Sequence, residues 1–82
     1  MNDLENTIRT VTLDIARRKA PELTEVQMDH SLIERLGLES MDLAELIATL
    51  EAELGVDPFA TTAISRIRTV ADLCAAYRAA VT

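Results

Sequence analysis

The chain has 82 residues, a formal net charge of −6, 49% hydrophobic and 27% charged residues, and a single cysteine. A chain of this length buries only about 60–65% of its unfolded surface, so it holds one small core and no second domain. With a pI near 4.6 it is a poor match for nucleic acid or anionic membranes, which select basic surfaces, and a good match for basic proteins.

Leu4, Ile8, Val11 and Ile15 recur at spacings of four, three and four, which predicts an amphipathic first helix. It closes near Arg17-Arg18-Lys19, cations that suit the negative end of the helix dipole. Pro21 blocks simple continuation, and a long connection follows from about Lys19 to Glu39. Within it, Ser31-x-x-Glu34 has the capping-box pattern and is accompanied by Leu32, Ile33 and Leu36. A short helical turn, stopped by Gly37 and pinned to the core, is expected there.

Leu43, Leu46, Ile47, Leu50 and Leu54 form the apolar face of a predicted second helix from about Ser40 to Leu54, ending before Gly55. Its opposite side carries Asp42, Glu45, Thr49 and Ala52, with Glu51 and Glu53 flanking. Met41 and Ala48, seven apart, share a side and form an apolar strip beside that acid. Between Arg35 and Arg66 there is no Lys or Arg, while Glu39, Asp42, Glu45, Glu51, Glu53 and Asp57 fall in the window. The segment is a concentrated negative field. Ser40 at its head reads as an N-cap.

Pro58 restarts the chain, and a short third helix is expected over Phe59 to Ser65. Thr69-x-x-Asp72 opens a last helix whose core positions are Val70, Leu73, Cys74, Tyr77 and Val81. No two-residue alternation of a half-buried strand is present. The expected fold is all-α, a small helical bundle of three main helices plus one short one, with residues 1–82 as a single domain. No run approaches the ~20 apolar residues of a membrane span. The polar start Asn2-Asp3-Leu4-Glu5 is unlike a signal peptide, so a cytoplasmic location is expected.

Catalytic chemistry finds little support. The only histidine, His30, lies ten residues before Ser40 in a polar loop, and a nucleophile needs its base within hydrogen-bond reach. A hydrolase elbow requires Gly two residues either side of the serine, where this chain has Leu38 and Asp42. Asp29-His30 is an isolated pair without further metal ligands, and Gly37 and Gly55 are too far apart for a phosphate loop. Cys74 sits at a core position and reads as a small buried hydrophobe. Ser40 remains: a phosphodiester on a hydroxyl at a helix N-terminus would lie in the positive end of the dipole.

The stretch Leu36-Gly37-Leu38-Glu39-Ser40-Met41-Asp42-Leu43-Ala44-Glu45-Leu46, followed by Leu50-Glu51-Ala52-Glu53-Leu54-Gly55, resembles the phosphopantetheine attachment region of acyl carrier proteins. The order of elements is similar to that family over essentially the whole chain, including a final helix opened by Ile67-Arg68-Thr69-Val70-Ala71-Asp72-Leu73. The resemblance implies that Ser40 receives 4'-phosphopantetheine from coenzyme A through a phosphopantetheinyl transferase, that acyl groups then ride as thioesters on the arm's thiol, and that the carrier catalyses nothing. It further implies that Met41, Glu45 and Glu51 face partners, namely acyl- or aminoacyl-loading and acyl-transferring enzymes; Glu39, Asp42 and Ala48, on the same acidic segment and apolar strip, are expected to join them against basic docking surfaces.

The family most often has Asp before and Leu after the serine, where this chain has Glu39 and Met41. Peptidyl carriers usually show Gly-Gly-x-Ser, and Gly37-Leu38 departs from it, which favours the fatty-acid or polyketide type. A discrete, free-standing, monomeric carrier is the expectation. An aminoacyl or peptidyl carrier is an alternative, and a small acidic adaptor binding basic proteins is an alternative of another class.

Overall fold

The computed structural model describes residues 3–60 and 63–81. Three helices, α1 (Asp3–Ala16), α2 (Ser40–Leu54) and α3 (Val70–Val81), are joined by a long first loop and by a second connection holding two 3₁₀ turns, Pro58–Ala60 and Ile64–Arg66. No strand is present among the described residues, and the all-α expectation holds.

Side chains repeating every three or four positions put one stripe of each helix inward. Ile8, Ile15 and Ala16 of α1, Leu46 and Leu50 of α2, and Val70, Leu73, Cys74 and Tyr77 of α3 are buried together, and α1 packs on both other helices. Thr12 is fully buried as well; its hydroxyl donates to the Ile8 carbonyl at 2.7 Å, which lets a polar residue occupy a core position. Val81, expected in the core stripe, is 50% exposed because the last turn of α3 runs past the packed region.

The first loop is anchored by its own apolar residues. Val26, Leu32, Leu36 and Leu38 are buried. The Glu34 N–H donates to the Ser31 hydroxyl at 3.1 Å, and the Leu36 and Gly37 N–H groups close a single turn onto Ser31 and Ile33, both at 3.0 Å. Gly37 ends the turn at φ 72°, a left-handed conformation that favours glycine. Ile33 is 60% exposed, against expectation. Leu32 and Leu36, four apart, share the inward side of so short a turn, and the residue next to Leu32 is carried about 100° away.

The middle of this loop is bonded to the start of α3. Ser31 and Thr69 form an isolated antiparallel bridge. Leu32 N–H donates to Arg68, Val70 N–H to His30 and Ala71 N–H to Met28, at 2.9, 3.0 and 2.8 Å. Two first-turn donors of α3 are thereby satisfied by the loop. A third goes to its own cap: Asp72 N–H donates to the Thr69 hydroxyl and Thr69 N–H to the Asp72 carboxylate, each at 3.1 Å, so the Thr69-x-x-Asp72 box forms with Asp in the role of Glu.

The expected third helix over Phe59 to Ser65 is corrected. Ala63 is extended (φ −70°, ψ 132°), which breaks any continuous helical ladder and leaves the two separate 3₁₀ turns, while Thr61 and Thr62 lie outside the described residues. Phe59 meets Tyr77 edge to face, with ring centroids 6.1 Å apart, and ties the first turn to α3.

Candidate functional site

The backbone leading into α2 is set by the loop. Leu38 is buried and its N–H donates to the Leu32 carbonyl at 3.0 Å, so the chain enters Glu39 from a fixed point. Glu39 is extended (φ −103°, ψ 177°) and is the N-cap of α2. A capping box closes between Glu39 and Asp42, with the Glu39 N–H donating to the Asp42 carboxylate at 2.9 Å.

This corrects the expectation that Ser40 caps the helix. Ser40 is the first helical residue, and capping is done by its neighbour. Its side chain is exposed, and its hydroxyl makes no hydrogen bond among the described residues. The helix dipole favours negative charge at this position. His30 supplies no base: its Nδ1 accepts the Gln27 N–H at 3.2 Å within its own loop. Among the described residues no three His, Cys, Asp or Glu side chains converge on a metal position.

Around Ser40 the residues singled out from sequence are presented unequally. Met41 is 85% exposed, and Ala48 is exposed on the same side of α2. Glu39 and Glu45 are exposed, whereas Asp42 and Glu51 are half-buried. The acids nearest Ser40 are also paired. Arg18 Nη1 donates to Glu45 Oε1 at 2.8 Å, and Arg18 Nη2 contacts the second oxygen of the same carboxylate. Lys19 Nζ lies 2.9 Å from Asp42 Oδ2 and contacts Glu39. The Asp42 carboxyl is held below its usual range by the Glu39 N–H first and by Lys19 second, and the Glu45 carboxyl by Arg18.

These cations were visible in sequence only as a basic cluster suited to the dipole of α1. The helix ends at Ala16, so they stand beyond it and reach α2 instead. Only the packing of α1 against α2 brings them there.

On its other side Ser40 lines a cleft of about 550 Å³. Leu43, Leu46 and Ile47 of α2 form one wall, Ile33 and its turn another, and Phe59, Ile64, Ile67, Arg68 and Leu73 the remainder. Aliphatic residues dominate, with Ser31, Glu34, Ser65 and Arg68 adding polar groups. The arrangement offers an uncommitted hydroxyl between a charged surface and an apolar hollow.

A family model described as phosphopantetheine attachment site matches residues 6–77 of this chain. A search of curated proteins gives no match.

Proposed function

The chain belongs to the phosphopantetheine attachment family, and from that premise we propose that Ser40 is the residue bearing the arm. Members of this family hold 4'-phosphopantetheine covalently and carry substrates on it without catalysing reactions themselves. When attached, the arm supplies a terminal thiol that holds acyl groups as thioesters. The protein's part is to expose one hydroxyl, to place a phosphodiester in the favourable field of a helix N-terminus, and to offer surfaces on both sides of it. The observation carrying the assignment is Ser40 itself: exposed, first in α2, relieved of capping by Glu39, and uncommitted in its hydrogen bonding.

The cargo we assign is an acyl chain of fatty-acid or polyketide type rather than an aminoacyl or peptidyl group. Support comes from Leu38 in place of a second glycine and from the aliphatic cleft beside Ser40, which suits a hydrocarbon chain. The working unit is a single monomeric carrier domain in the cytoplasm. Its partners are a phosphopantetheinyl transferase and acyl-loading and acyl-transferring enzymes that approach Met41, Ala48 and the acids Glu39, Asp42, Glu45 and Glu51 with basic surfaces.

Incubation with coenzyme A and a broad-specificity phosphopantetheinyl transferase, followed by intact mass measurement, tests the assignment. One arm's mass increment is expected, absent in Ser40→Ala with circular dichroism unchanged. An increment retained in Ser40→Ala would place the attachment elsewhere, and a chain left unmodified by several transferases would defeat the carrier reading. The mass of the group recovered on the arm from the native host tests the cargo.

A further inference from the structure

Each acid immediately around Ser40 is already in contact with a cation of the same chain. The Arg18 guanidinium takes both oxygens of Glu45, one at 2.8 Å, and the Lys19 ammonium stands between Glu39 and Asp42 while lying 3.4 Å from the Gly37 carbonyl. Further along the negative segment, Glu53 is exposed and forms no ion pair among the described residues. The face is thus neutralised most strongly at the serine, where a docking enzyme must come closest. Exposed pairs of this kind add little to folding stability, so they open at small cost. A bidentate arginine on a carboxylate is nevertheless specific in geometry.

We infer that Arg18 and Lys19 are specificity-determining residues of the docking surface, shielding the carboxylates around Ser40 so that a basic partner gains there only by displacing them. The inference rests on the proposed docking role of this face. A partner whose own arginines reproduce the fork on Glu45 exchanges one pair for another. One relying on diffuse positive potential meets three carboxylates already screened by two cations.

A short oligoarginine peptide serves as the probe, titrated into isotope-labelled protein and followed through the amide resonances of residues 39–45 at low and physiological ionic strength. Arg18→Gln with Lys19→Gln is expected to tighten binding several-fold and to steepen its salt dependence. The charge-matched control is Arg17→Gln with Arg35→Gln, since both residues are exposed and form no ion pair among the described residues. It makes the same change in net charge without opening either pair, and should tighten binding clearly less than the shielding variant does. Equal tightening by both double variants would reduce the effect to net charge and overturn the inference, as would binding no tighter than wild type in the shielding variant. Lys19→Gln alone should move the same resonances in the same direction, and dispersed amide spectra verify folding. Failure of the docking role reads differently: the peptide result would stand while enzyme association ignored charge reversal at Glu45 and Glu51.

Discussion

The phenol of Tyr77 is fully buried, and its oxygen has no hydrogen-bond partner among the described residues. A buried hydroxyl left unpaired costs about 1–3 kcal/mol, so its removal relieves rather than damages the core. Tyr77→Phe is expected to leave thermal stability unchanged or raise it by up to about 1 kcal/mol, about 4–8 °C for a domain of this size, as read by calorimetry. Burial first, and then the charges of Glu51 and Asp57, push the phenol up to about 12. The neutral form is the one the fold favours, so this contribution is whole below about pH 10 and is lost as pH rises toward about 12. Melts above pH ~10 should therefore fall less steeply for Tyr77→Phe than for wild type. At the start of α2 the sequence pointed to Ser40 alone as the cap. The structure moves the cap one residue earlier because the Asp42 carboxylate takes the Glu39 N–H and closes the box there.

The elements legible from sequence are those governed by a single period. All three α-helices lie where the apolar stripes put them, and α2 runs over Ser40–Leu54 as read. Shorter elements depend on one or two backbone angles that no pattern encodes, as Ala63 shows by dividing the expected third helix. Contacts between distant elements were also hidden: the cleft needs three segments at once, and the reach of Arg18 and Lys19 needs the packing of α1 on α2. Helix α3 carries its own testable device. The N–H groups of Arg68 and Thr69 both donate to the Asp72 carboxylate and hold it below its usual range. A carboxyl depressed by folding stabilises above its unfolded value, about 3.9, and loses that contribution as pH falls through the folded value. Asp72→Asn should lower stability at neutral pH, and the loss relative to wild type should shrink below about pH 4, as measured by urea midpoints at the two conditions.

Taken whole, the molecule sets a net charge of −6 against a local field partly neutralised at its functional end. If that field steers partners, Glu45→Lys with Glu51→Lys should slow association with the transferase and acyl-transferring enzymes, most at low ionic strength, with the dissociation rate changing less. Stopped-flow association with circular dichroism unchanged is the measurement, and rates indifferent to salt and substitution would refute steering. The bonds between the middle of the first loop and the start of α3 have a consequence for chain length. They divide the connection from Arg17 to Glu39 into an outer span ending near Met28 and an inner one of single-turn size. Extra residues near Glu22 would only lengthen the outer span, at about 0.6 kcal/mol per doubling. A single residue added between Leu32 and Leu38 would rotate the entry of α2 and turn Ser40 away from its cleft. In this fold the permissible variation in length ends where the loop is fastened, and the serine's position is measured from that fastening rather than from the end of α1.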